Sequence, residues 1–143
     1  MRIVTHLGGA RATILAGVAL TAAGGGERQI GIAALLANAL SHLAVQVLKR
    51  TVARARPCDA DGRPLALIDL PDPFSFPSGH SAAGFAVAAV VAYAHPWTAP
   101  AVLSLATLIA VSRVRLRVHR LEDAVVGSLL GLTGATAAAR LLL

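Results

Sequence analysis

The residue types able to do chemistry fall in three short clusters. They are Lys49-Arg50-Thr51-Val52-Ala53-Arg54-Ala55-Arg56-Pro57, then Pro77-Ser78-Gly79-His80, then Ser112-Arg113 followed after five residues by His119 and after three more by Asp123. A phosphate ester needs its charge neutralised before a nucleophile can approach. Lys49, Arg56 and Arg113 supply three cations, and each arginine can hold two oxygens at once. Ser78 and Gly79 sit where a helix is expected to begin, so their backbone amides and the helix dipole offer an anion cradle. Gly79 lets the backbone come close. His119 and Asp123 are four apart; on a helix they share a face, and the carboxylate can fix the imidazole tautomer.

These residues must be positioned by a strongly apolar chain. Its 143 residues suggest one domain, 1–143, and are 56% hydrophobic and 14% charged. So short a chain cannot bury its long apolar runs in a water-soluble core, whereas a bilayer serves as their solvent. The balance is basic, with 13 Lys and Arg against 7 Asp and Glu. The cations crowd into 49–63 and 113–120, without the interleaved aromatics of a nucleic-acid face. That placement suits an anionic headgroup at a membrane surface, and nucleic acid is excluded as a partner. The single cysteine, Cys58, excludes an intramolecular disulfide.

A membrane span needs about 20 apolar residues. Five segments qualify: 7–24, 30–48, 79–95, 98–112 and 124–143. Helices satisfy their backbone groups in lipid, so the expected fold is all-α, an antiparallel bundle of about five transmembrane helices. The first segment also has a rival reading as a secretory signal ending near Ala22-Ala23-Gly24, although Arg11 interrupts it. Gly24-Gly25-Gly26-Glu27-Arg28 and His95-Pro96-Trp97 read as turns, with Trp97 an interfacial anchor. Gly127, Gly131 and Gly134 read as packing residues. Threading the segments up and down brings all three polar clusters to one membrane face. The 50–78 loop lies on that face, and its patch at 65–68 is placed on the membrane surface.

The clusters together resemble the type 2 phosphatidic acid phosphatase (PAP2) superfamily, which includes the vanadium haloperoxidases and bacterial acid phosphatases. Its signature, KxxxxxxRP, PSGH and SRxxxxxHxxxD, is matched at every specified position over 49–123. The resemblance implies that His119 is the nucleophile that becomes phosphohistidine. His80 is then the acid that protonates the leaving alkoxide and the base that activates water, and Asp123 supports His119. Lys49, Arg56, Ser78, Gly79 and Arg113 would bind the phosphate, with Pro77 and Ser112 in support. No metal or other cofactor is implied, because the cations supply the charge that Mg²⁺ supplies elsewhere. The sequence departs from the family in two places: Arg117 and Leu121 stand where many members have Gly and Pro. Many members also have six spanning helices.

Blander readings stand beside these. Arg115, Arg117 and Arg120 read as a topology-setting positive loop, and Arg50 and Arg54 as headgroup contacts. Asp59, Asp61, Asp69 and Asp72 read as solvated loop acids rather than a metal site. Asn38, His42, Gln46 and Lys49 form a polar stripe on the second helix. Interhelical hydrogen bonding is the favoured explanation; support of Lys49 or a place along the substrate's entry is the sharper one. His6 and His95 look incidental.

The functional expectation is a lipid phosphate phosphatase whose substrate's tail stays in the bilayer. Polyprenyl phosphates or diphosphates, phosphatidic acid, phosphatidylglycerol phosphate and phosphorylated polyprenyl sugars all fit. The alternatives are a lipid phosphotransferase using the same histidine, vanadate-dependent halide oxidation, and a catalytically silent scaffold. Cations favour the active-site face, so the positive-inside rule predicts a cytoplasmic site, in a bacterial inner membrane. The sequence does not set an oligomeric state.

Overall fold

The computed structural model describes residues 1–68 and 72–143, apart from the side chain of Arg2. Among these residues the helices run α1 Arg2–Leu7, α2 Ala10–Ala23, α3 Gly25–Val52, α4 Gly79–Ala94, α5 Ala99–Arg115 and α6 Leu121–Leu142. A single 3-10 turn, Pro96–Thr98, leads into α5. The architecture is the expected all-α bundle, with one helix more than anticipated. Gly8 and Gly9 separate α1, which lies ahead of most of the first apolar segment, from α2, which accounts for that segment. Gly9 is extended at ψ 155°, the helix restarts at Ala10, and the six-residue α1 packs against α5. A helix so short has no stability of its own and leaves little periodicity to find in sequence.

The expected turn at 24–28 is also shorter than anticipated. Gly24 and Gly25 both adopt positive φ, at 76° and 55°, and reverse the chain by themselves. Helix α3 therefore begins at Gly25 and runs 28 residues, about 42 Å at the usual rise. Gly25–Val52, Pro96–Arg115 and Leu121–Leu142 are long and apolar enough to cross a membrane. Ala10–Ala23 and Gly79–Ala94 are apolar but shorter.

Helix α4 is central, packed against α3, α5 and α6, while α3 also packs on α2 and α6. The core is built from small residues: Ala33, Ala34, Ala37, Ala86, Ala135 and Ala138, closed by Ile30 and Val90. In lipid there is little hydrophobic drive between helices, so close van der Waals fit holds them together. Gly127 and Gly131 show how close that fit is. A β-carbon on Gly127 would strike the Ser78 carbonyl, and one on Gly131 the Ala82 carbonyl. The first of these contacts seats α6 directly on the residue that begins α4. Outward, Leu15, Leu43, Leu108 and Leu129 are exposed, as lipid-facing side chains are. Trp97 and Tyr93 are exposed at the end of α4 remote from His80, where amphipathic rings suit an interface. At that end His95 Nε2 lies 3.0 Å from Glu27 Oε1, tying α4 to α3, so His95 is not incidental.

Candidate active site

Helix α3 delivers Lys49 to the site, and the backbone then turns sharply. Ala53 adopts a left-handed conformation, φ 47°, and its amide donates to the Lys49 carbonyl. This reversal carries Arg54 and Arg56 back beside the helix they have just left. The Lys49 ammonium is buried and donates to Asp72 Oδ1 at 2.8 Å, Asp72 Oδ2 at 3.0 Å and the Phe74 carbonyl at 3.1 Å. Arg56 donates to the Asp72 carbonyl at 3.0 Å, the Val118 carbonyl at 2.9 Å and Asp72 Oδ1 at 3.3 Å. Burial pushes Arg56 below its ordinary value, and Asp72 opposes that. For Asp72, burial would raise the carboxyl, but hydrogen bonding and charge from Lys49 and the charge of Arg56 hold it below the usual range.

Asp72 is therefore not the solvated loop acid expected from sequence. Its position in a Pro-broken loop gave no sign of the two cations that the fold brings to it. Asp59 does behave as a loop acid, accepting from the amides of Asp61 and Arg63. Asp69 lies outside the described residues. The patch at 65–68 is fastened to the protein, because the Leu67 amide donates to the Leu116 carbonyl in the turn before His119.

Ser78 caps α4, its hydroxyl accepting from the Ser81 amide and from the Ser81 hydroxyl at 2.9 Å. Sequence placed both the Ser78 and Gly79 amides in an anion cradle. The Ser78 amide is instead committed to the Asp123 carbonyl at 2.9 Å, and Ser78 is fully buried. Gly79, one residue on, lines the cavity. Ser78 is thus a joint between α4 and α6 rather than an open donor. Pro77 is buried just before it.

Arg113, near the end of α5, donates to the Thr5 hydroxyl of α1 at 2.6 Å, while its Nε is buried without a partner among the described residues. Ser112 is buried and donates back to the Ile109 carbonyl at 2.6 Å. The chain then passes through Arg117 in a left-handed conformation, φ 56°, which turns Val118 inward and presents His119. That conformation suits glycine, so Arg117 occupies a glycine-type position.

His119 and Asp123 are almost wholly buried, with His119 Nδ1 3.7 Å from Asp123 Oδ2. That is ion-pair range but too long for a hydrogen bond. Such contacts in ligand-free sites often tighten when substrate binds. The same Oδ2 accepts from the Arg120 amide at 2.9 Å, and Oδ1 accepts from Arg54 at 3.0 Å. Arg54 also lies 4.7 Å above the Phe76 ring and reaches Glu122 at 3.2 Å. Arg54, read from sequence as a headgroup contact, instead holds the carboxylate behind His119. Burial, with the charges of Arg113 and Arg56, pushes His119 below its ordinary value; Asp123 opposes the shift. A neutral imidazole with its Nδ1 side toward a carboxylate presents a nucleophilic Nε2.

A cavity of about 690 Å³ joins these parts. Lys49, Arg56, Gly79, His80, Arg113 and His119 line it at the polar end, and Asp72 shares that wall. Ser78, Ser112, Pro77 and Asp123 stand behind the wall. The stripe residues Asn38, His42 and Gln46 also line the cavity, which was the less favoured reading from sequence. Only Asn38 does what the favoured reading expected, donating to Thr13 of α2 at 3.1 Å. Thr5 and Asp72 were missed: neither stands in a recognisable spacing, and each reaches its cation only through the tertiary fold.

The sequence profile of the PAP2 superfamily matches residues 30–143. Among solved structures, Aquifex aeolicus LpxE superposes with a TM-score of 0.83 at 23% identity, covering 97% of this chain and 82% of that one. The first transmembrane PAP2 type phosphatidylglycerolphosphate phosphatase from Bacillus subtilis superposes with a TM-score of 0.75 at 26% identity, covering 96% of this chain and 72% of that one. No curated protein matches the sequence. With its bundle, its clustered cations, and His80 and His119 on the same cavity wall, the chain belongs to the PAP2 superfamily.

Proposed function

We propose that this integral-membrane phosphoric ester hydrolase removes phosphate from a membrane lipid through a phosphohistidine formed on His119. The observation that carries the reading is the shared wall of one cavity, where Lys49, Arg56 and Arg113 surround two histidines and one histidine is backed by a buried carboxylate. The similar Bacillus subtilis structure is of a phosphatidylglycerolphosphate phosphatase, which favours a lipid substrate here.

In this mechanism the cations and the start of α4 bind the phosphate oxygens. His119 Nε2 attacks phosphorus, and the bond from phosphorus to the lipid oxygen breaks as His80 gives that oxygen a proton. Asp123 stabilises the cationic phosphohistidine. Water, deprotonated by His80, then attacks phosphorus and releases inorganic phosphate with His119 restored. Fixed cations supply the charge that Mg²⁺ supplies at other phosphoryl-transfer sites. The positive-inside rule favours the cytoplasmic side for the cationic face, and the reading takes the membrane to be a bacterial inner one.

The covalent step is tested by His80→Ala with radiolabelled p-nitrophenyl phosphate, whose leaving group needs no acid. Label should accumulate on His80→Ala and be absent from His80→Ala combined with His119→Ala. Label of equal amount on both proteins would contradict the assignment of His119.

A further inference from the structure

His42 and Gln46 lie on the cavity wall but outside the proposed phosphate machinery. They stand seven and three residues before Lys49 on α3, so His42 is about 10 Å deeper along the helix axis. Around them the cavity is lined by Ile14, Leu35, Ala39 and Val45, with Asn38, already bonded to Thr13, about one turn deeper. Their side chains meet each other, His42 Nε2 to Gln46 Nε2 at 3.3 Å, and no hydrogen bond from either to a third side chain is present among the described residues. Among the described residues, the other imidazole nitrogen and the amide oxygen have no side-chain partner, on two residues that line the cavity.

Polar groups facing hydrocarbon are costly, and within a membrane-spanning helix they stand where a polar partner arrives. In this cavity the partner is the substrate. A polyprenyl phosphate turns to hydrocarbon directly after its phosphate and would press that hydrocarbon against both groups. A glycerolipid or glycolipid phosphate carries hydroxyl or ester oxygens within a few bonds of the phosphate. Imidazole and amide together offer both donor and acceptor to such oxygens.

We propose that His42 and Gln46 form a second polar subsite that binds a hydroxyl or ester oxygen next to the phosphate, so that the cavity takes glycerolipid or glycolipid phosphates in preference to polyprenyl phosphates. This rests on the phosphatase reading above.

The test compares wild type, His42→Ala, Gln46→Leu and His42→Asn in detergent with dioleoyl phosphatidic acid, a phosphorylated diacyl glycolipid and undecaprenyl phosphate. Wild type prefers the first two. In His42→Ala and Gln46→Leu the kcat/KM ratio of phosphatidic acid to undecaprenyl phosphate falls about tenfold, as expected when one hydrogen bond to substrate is lost. His42→Asn, which keeps a donor and an acceptor, recovers part of it. A parallel fall for the glycolipid identifies an ester oxygen, which both lipids carry, as the recognised group; a fall for phosphatidic acid alone identifies the ester oxygen of the glycerol that bears the phosphate. Ratios unchanged in both truncating variants would overturn the subsite while leaving the phosphatase intact. Phosphate release by wild type from none of the three lipids would instead overturn the phosphatase reading, and the subsite with it.

Discussion

At the scale of single residues, the site is a balance of buried charges. His119 titrates below the ordinary imidazole value of 6.5, because burial and two guanidinium groups disfavour its cation more than Asp123 favours it. Its neutral, nucleophilic form therefore persists into mildly acidic solution, and the acidic limb of kcat/KM is expected below pH 6.5. A limb at or above that value would contradict the assigned environment. The same shift acts on stability: His119's contribution is fully present above its unfolded value and is lost as pH falls toward the folded one. Asp123→Asn removes the carboxylate that the proposed mechanism uses to orient the ring, and kcat should fall by about 10²–10⁴ while the protein stays folded. Asp72 holds Lys49 and Arg56, the two cations that the proposed mechanism puts on the substrate phosphate. Asp72→Asn should leave Lys49 and Arg56 without their anion, lowering Tm in plain buffer. Added phosphate should restore Tm, and inhibition by phosphate should tighten about tenfold as its competitor disappears. Unchanged phosphate inhibition would show that Asp72 does not compete with phosphate for these groups.

At the scale of elements, two tight points place the proposed catalytic residues. One is Arg117, whose φ of 56° costs a non-glycine residue about 1 kcal/mol. Its side chain is exposed, so Arg117→Gly should raise stability by about that amount in reversible unfolding, without loss of turnover. The other is Gly127 against the Ser78 carbonyl. Gly127→Ala must push α6 away from the start of α4, costing about 1–3 kcal/mol and lowering activity as Gly79 and His80 move. These points also show what was legible in the sequence. The apolar runs match α2, α4, α5 and α6 to within about three residues at each end and α3 to within about five, because lipid demands apolarity along the whole of each helix. The motif spacings brought Lys49, Arg56, His80, Arg113 and His119 to one cavity. What was not legible depends on contacts between elements. The break at Gly8 and Gly9 makes a helix too short to announce itself, yet it delivers Thr5 to Arg113. The Ser78 amide looks free in sequence and is taken by a carbonyl on α6. Asp72 and Arg54 sit in a loop whose path follows from the left-handed turn at Ala53, an alanine that composition gives no reason to suspect.

At the scale of the whole molecule, the protein is an integral-membrane bundle with one chemically equipped end. Arg50, Arg54, Arg115, Arg117 and Arg120 lie toward that end, while Glu27 and His95 pair at the other. The sole cysteine, Cys58, is exposed in the loop at the equipped end and so reports orientation without any substitution. A membrane-impermeant maleimide should label it in inverted inner-membrane vesicles and not in intact cells; the reverse pattern would place the site outside. In the proposed function the clustered residues hydrolyse a lipid phosphate without a divalent metal. This is tested most directly by phosphate release from dioleoyl phosphatidic acid, phosphatidylglycerol phosphate and undecaprenyl phosphate in detergent with excess EDTA, wild type beside His119→Ala. Wild type should release phosphate from at least one lipid, and the folded variant should lose a thousandfold or more, on the order of the loss when a nucleophile is removed. Equal release by the two proteins, or none from any lipid by folded wild type, would contradict the proposed function.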